Sequence, residues 1–295
     1  MQRRGAARSA GRSTGRKLTR RFFLLRLWPG ARTRRRWWRA FRGAPGVARI
    51  LIGAGVVLAL SLAVNGIYQI VRKPSELFFP VSGTLYKTPS ETWRQYAPIF
   101  RLYATNVITP ELLAATAQVE GSGNPVVRTY WRWSWTLQPF EIYRPASSAV
   151  GMYQITDGTF AEARRYCIHR HAVAEDGPWN NWRSCWFNSL YARVIPAHAV
   201  ELTSAYLDRS VRIALERNRI DSATPRHRQD LAALIHLCGA SAGADYAKRG
   251  FRLTEGQRCG DHDVRLYLTQ IDEMKAVFDR LARIRSETPP DDHVR

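Results

Sequence analysis

From Ile50 to Val71 the chain runs for 22 residues without a charge, bracketed by Arg49 on one side and by Arg72-Lys73 on the other. As a helix rising about 1.5 Å per residue, this run reaches roughly 33 Å, enough for a hydrocarbon core of about 30 Å. It is apolar all round, so it has no wet face to turn outward. The alternative is a buried core helix, which fits poorly with this length directly after a basic run. Cleaved signal peptides have shorter apolar regions and short basic heads, and no small-x-small cleavage site follows here. The expectation is an uncleaved signal anchor, with the membrane contacted through residues 50–71.

Charge supports the same division. Residues 1–49 hold 16 Lys or Arg and no Asp or Glu, the first acid being Glu76, so only +5 of the formal +21 belongs to the rest of the chain. An arm this basic suggests nucleic acid, through binding that falls steeply with salt. That reading leaves everything after the apolar run unexplained and ranks last, so no nucleic acid is expected. The positive-inside rule puts residues 1–49 in the cytoplasm and the chain beyond about residue 72 outside it. Thr19-Arg20-Arg21-Phe22-Phe23-Leu24-Leu25 has the look of a twin-arginine signal, but Arg26 cuts its apolar run. Trp28, Trp37 and Trp38 among the arginines suit anionic headgroups, and the arm is otherwise expected to be disordered.

Beyond the apolar run, Pro74, Pro80, Gly83 and Pro89 mark residues 72–89 as a linker. A folded domain is expected over residues 90–286, followed by a disordered tail, 287–295, with Pro289-Pro290-Asp291-Asp292. Its periodicity is helical. Trp93, Tyr96, Phe100 and Tyr103 predict an opening helix kinked or restarted at Pro98. Thr156 caps a predicted helix carrying Phe160, Ala163 and Cys167 on one face. Further helices are predicted from Pro196 to about Glu216, through Leu231, Leu234, Ile235 and Cys238 up to Gly239, and through Val264, Tyr267, Ile271, Phe278 and Leu281. No alternating strand stands out, so the fold class is mainly α.

Cys167, Cys185, Cys238 and Cys259 all follow the apolar run, and an even number outside the cytoplasm reads as disulfides. Short loops favour the pairs 167–185 and 238–259, each stabilising by about 3 kcal/mol in the chain-entropy view. The competing reading is zinc, because His236-x-Cys238 and Cys259-x-x-His262 have tolerable ligand spacing.

The chemistry centres on Glu120. Thr109 is a good N-cap, Pro110 suits the first helical position, and Leu113, Thr116, Ala117 and Glu120 fall on one stripe. Gly121 and Gly123 stop this helix, so the carboxyl is expected at its C-terminal end and aimed at the core. Burial and the negative end of the helix dipole both favour the protonated form, which a glycosidic general acid requires. The bland alternative is a helix-end glutamate that forms a salt bridge or caps a loop.

About thirty residues on comes Ser148-Ala149-Val150-Gly151-Met152-Tyr153-Gln154-Ile155-Thr156. In this order, the two segments resemble the catalytic core of the lytic transglycosylases, lysozyme-like enzymes that cleave peptidoglycan. The family's Glu-Ser pair is here Glu120-Gly121, and its Gly-Leu-Met-Gln stretch is Gly151-Met152-Tyr153-Gln154. A third element, usually Ala-Tyr-Asn-x-Gly, falls at Ile235-His236-Leu237-Cys238-Gly239, where only the glycine is kept. The resemblance covers roughly Trp93 to Tyr267. It implies a lysozyme-like α-helical domain after a single membrane helix, with Glu120 as acid and base in turn. Gln154 and the backbone of Gly151, Met152 and Tyr153 would line the cleft, with Tyr267 facing the acid. It implies no metal and no organic cofactor. The partners it implies are peptidoglycan glycan strands, in the periplasm of a bacterium whose inner membrane holds the anchor. Wall turnover, division and clearing space for a secretion machinery are all roles that fit.

Between the motifs, Tyr130-Trp131-Arg132-Trp133-Ser134-Trp135, then Phe140 and Tyr143, concentrate aromatics. If the segment is extended, Trp131, Trp133 and Trp135 share one face. Trp131 and Trp133 would then stack on sugar rings, or the group would cover apolar surface or dip into a membrane interface. Two rivals to the transglycosylase remain. A hydrolytic lysozyme would want a second carboxylate, for which Glu141 and Asp157 are the candidates. A peptidoglycan-binding scaffold with a degenerate site would explain Leu237 in place of asparagine.

Overall fold

A computed structural model describes residues 30–181 and 184–287. The twin-arginine-like stretch, Trp28 and the tail after Glu287 lie outside the described residues. The chain divides into two compact units, residues 1–62 and 63–295.

In the first unit, part of the supposedly disordered arm is helical: α1 runs over Ala31–Gly43 with no buried residue. Arg42 lies over the Trp38 ring, which stacks on Phe41, so the helix holds its own aromatics without a core. Then comes α2, Gly46–Arg72, long and apolar enough to cross a membrane, with none of its most apolar stretch buried. Its last turns belong to the second unit, where Asn65 and Gln69 are its buried residues.

The second unit is mainly helical. The expected linker is not free chain: a 3₁₀ turn, Pro74–Phe78, and the short α3, Phe79–Ser82, bury Lys73, Ser75, Glu76 and Ser82. Proline breakers are legible locally, whereas a buried ion cluster made with residues fifty positions away is not.

Three helices that follow open on the same Thr-Pro signal. Thr88 caps α4 (Pro89–Leu102) in a full capping box with Glu91, Thr109 caps α5 (Pro110–Gly121), and Thr224 caps α8 (Pro225–Cys238). Pro98 sits inside α4 without splitting it. Between α5 and α8 lie β1 (Trp131–Trp133) paired with β2 (Tyr143–Pro145), then α6 (Asp157–Ala163), then the hairpin of β3 (Tyr166–His169) and β4 (Ala172–Glu175), and then α7 (Pro196–Arg217). After α8 come α9 (Ala240–Lys248), the small hairpin of β5 (Arg258–Cys259) and β6 (His262–Asp263), and α10 (Val264–Glu287).

Two expectations change here. Short antiparallel strands exist that alternation did not reveal, because hairpins of two to four residues leave too little pattern. Cys167 belongs to β3 rather than to the helix of Phe160, since α6 stops at Ala163.

The core is shared by α4, α5, α7, α8 and α10, with Trp93, Phe100, Leu113, Leu202, Leu231, Leu234 and Phe278 among its buried residues. In α5 every residue from Leu112 to Ala117 is buried, not one stripe. Three alanines in that run let neighbouring helices approach on several sides, which makes α5 the central helix. Disulfides join Cys167 to Cys185 and Cys238 to Cys259, so both thiols of the zinc alternative are taken.

Candidate active site

The last turn of α5 presents Glu120, whose side chain is 18% exposed. Directly after it, Gly121 packs against the loop of the second motif. A Cβ at Gly121 would lie 2.9 Å from Met152 Cα and 3.0 Å from its carbonyl oxygen. This packing therefore requires a glycine at position 121. Gly151 is held at φ +80°, and a Cβ there would strike the Arg193 carbonyl oxygen. The two motifs meet backbone to backbone through these glycines.

That contact decides what the second motif offers. Met152 and Tyr153 are fully buried, and the Tyr153 hydroxyl donates to the Leu113 carbonyl at 3.1 Å. Their side chains hold α5 in place, so the expected role in the cleft stays with their backbone. Gln154 has left-handed backbone, φ 46°, and its Nε2 donates to the Gly151 carbonyl at 2.8 Å. It closes its own turn while lining a cleft of about 240 Å³. Arg193, which the sequence reading missed, braces the loop: its guanidinium donates to the carbonyls of Ser148 and Ile155 and pairs with Asp157. A single arginine forty residues from the motif carries no local signal of that role.

Two other helix ends complete the surroundings of Glu120. Val264, Tyr267, Ile271 and Phe278 form the buried stripe of α10, which packs along α5. This delivers the Tyr267 hydroxyl to Glu120, donating to Oε1 at 2.7 Å. Burial, then the nearby Glu120 charge, then this hydrogen bond push the phenol well above its ordinary value, so it stays a donor. From the last turn of α8, His236 brings Nε2 to 3.6 Å from the same Oε1. His236 also lines the cleft with Gln154, Thr156, Thr203 and Tyr206. Two residues on, Cys238 fixes the end of α8 through its disulfide. Thr203 keeps its hydroxyl buried without a hydrogen-bond partner.

Two further glutamates in this unit are buried, Glu76 and Glu201, each 4% exposed. Glu201 accepts from the Ile168 amide on Oε1 and from the Tyr191 hydroxyl on Oε2. Glu76 has Lys73 beside Oε1, while Arg128 and the Trp131 indole donate to Oε2. Glu201 uses both oxygens in hydrogen bonds, whereas Glu76 accepts on Oε2 and has Oε1 beside Lys73 with no hydrogen bond. For Glu120 both described contacts fall on Oε1, and the cleft next to it is lined by its neighbour His236 rather than by Glu120 itself.

The other predicted site residues gather elsewhere. Trp131 and Trp133 do share a face, each ring lying against Tyr143 at 5.1 and 4.6 Å, but their described contacts run to Tyr143 and Glu76 rather than to Glu120. Glu141 is held by Arg72 and Arg144, and Asp157 by Arg193. No protein-family model matches the chain, and no curated protein does.

Proposed function

We propose that the chain is a peptidoglycan lytic transglycosylase of lysozyme-like fold, anchored by α2, with Glu120 as its single general acid and base. One observation carries the reading: Glu120 is a largely sequestered carboxyl whose described contacts, the Tyr267 hydroxyl and His236, both fall on one oxygen. Tyr267 on Oε1 directs the proton of the acid form to Oε2. From there it passes to the glycosidic oxygen between N-acetylmuramic acid and N-acetylglucosamine as the C1–O bond breaks. The muramyl N-acetyl oxygen supports the anomeric carbon. The Glu120 carboxylate then takes the proton of the sugar's 6-hydroxyl, whose oxygen closes the 1,6-anhydro ring. No water enters. A hydrolytic route is weaker, because Glu141 and Asp157 are each paired with arginines away from Glu120.

In this reading α2 spans a bacterial inner membrane, residues 1–49 face the cytoplasm and the catalytic unit faces the periplasm. The test is mass spectrometry of purified peptidoglycan digested with the full-length protein and with Glu120→Gln. The expected products carry 1,6-anhydromuramic acid and are absent with the variant. Reducing-end muropeptides would mean hydrolysis instead. Wall binding without products from either protein would leave a scaffold and defeat the enzyme reading.

A further inference from the structure

The segment between the motifs has a use that the chemistry at Glu120 does not absorb. Its hairpin, β1 and β2 with the loop between them, is built onto the final turns of α2. Asn65 Nδ2 donates to the Tyr143 carbonyl and Gln69 Nε2 to the Phe140 carbonyl, both at 2.6 Å. Tyr68 stacks on Phe140 with ring centroids 4.9 Å apart, and Arg72 pairs with Glu141 at 2.9 Å. From the opposite side, Glu76 holds the Trp131 indole. The hairpin is thus fixed to the last two turns of α2 through four residues, Asn65, Tyr68, Gln69 and Arg72.

That stretch sets a depth. Asn65 and Gln69 lie inside the uncharged run that ends at Val71. At about 1.5 Å per residue they sit roughly 9 and 3 Å short of its end, the depth range of an interfacial element. Two amide side chains facing lipid at that level would be costly, and both are instead covered by the hairpin backbone. The covering element turns apolar groups outward. Tyr130 is 72% exposed and Trp133 66%, while Trp135 and Leu137 at the loop are fully exposed. Its acid, Glu141, is neutralised by two arginines, and Arg132 is left exposed. Indole and phenol rings with a cation, and an acid already paired, match the headgroup boundary of a bilayer.

We infer that the hairpin of residues 130–145 is a second membrane contact, seated in the outer interface of the bilayer that α2 crosses, with Trp133, Trp135 and Leu137 among the acyl-chain ends. This rests on the reading of α2 as a membrane span. The catalytic unit would then be held close against the membrane rather than swinging on a linker.

The test uses the full-length protein in vesicles of phosphatidylethanolamine and phosphatidylglycerol, with and without bromine near the headgroup end of the acyl chains. Subtracting the emission of Trp133→Phe/Trp135→Phe from that of the unchanged protein isolates those two indoles. Trp135→Phe alone repeats the subtraction at a side chain with no packing to lose. A blue-shifted difference emission that drops in brominated vesicles is the expected result. Difference emission indifferent to bromine, from protein that floats with the vesicles and resists alkaline extraction, overturns the hairpin contact alone. The same indifference with a shift on adding peptidoglycan strands assigns the indoles to glycan instead. Protein released by alkaline extraction refutes the membrane span, and the inference falls with it.

Discussion

Glu76 and Glu120 stand in the same unit, and both are withdrawn from water, yet they are built to opposite ends. Around Glu76 the surroundings are cationic: Lys73 pairs with Oε1, and Arg128 and the Trp131 indole donate to Oε2. Around Glu120 they are a phenol and an imidazole, both on one oxygen. A buried carboxylate with matched cations is fixed in charge and in place. The carboxyl of Glu120 has a neutral donor in place of a matched guanidinium or ammonium. Burial alone therefore does not mark a chemical glutamate; the kind of partner and the oxygen it occupies do.

The largest expected effect falls on the second of the pair. Glu120→Gln should lower turnover of purified peptidoglycan by roughly 10²- to 10⁴-fold while leaving thermal unfolding near that of the unchanged protein. Glu76→Ala should do the reverse. It removes the carboxylate beside buried Lys73 and should lose about 3–5 kcal/mol in denaturant melts, with activity per folded molecule retained. If Glu120→Gln were the one to unfold the protein, the distinction between the two sites would be broken.

Tyr267→Phe sharpens it, because it keeps the ring and deletes the donor. Turnover should fall by roughly tenfold to a hundredfold, the 1–3 kcal/mol of one hydrogen bond to a charged or reacting group, with kcat moving more than KM. The smallest effect separates this tyrosine from a core one. Burial, and then Asp230, push Tyr246 up to about 12. Its folded value lies above its unfolded value near 10, so its contribution is complete below pH 10 and is lost as pH rises toward 12. In melts between pH 9 and 12, Tyr246→Phe should flatten the alkaline loss of stability and leave activity unchanged at neutral pH.

Much of this was legible before any coordinates. The Thr109-Pro110 start, the uncharged run at 50–71 and the spacing of Val264, Tyr267, Ile271 and Phe278 are local signals, and each produced its helix. The cysteine pairs followed from loop length. What was not legible depends on distant partners. Glu76 sits in an apparent linker, and its role exists only because Arg128 and Trp131 fold onto it. Gly121 carries no local sign of its role, which is set by the Met152 backbone packed against it. His236 read as a lost aromatic or a metal ligand, and it stands instead beside Glu120.

The bond between Glu120 and Tyr267 joins residues 147 positions apart, and Tyr267 lies on the last helix described. Its consequence is one of timing. Glu120 leaves the ribosome early, but the phenol that donates to it arrives only when α10 has been made and docked. A chain interrupted anywhere before α10 would carry Glu120 without this bond, so the pair exists only after a long-range docking step.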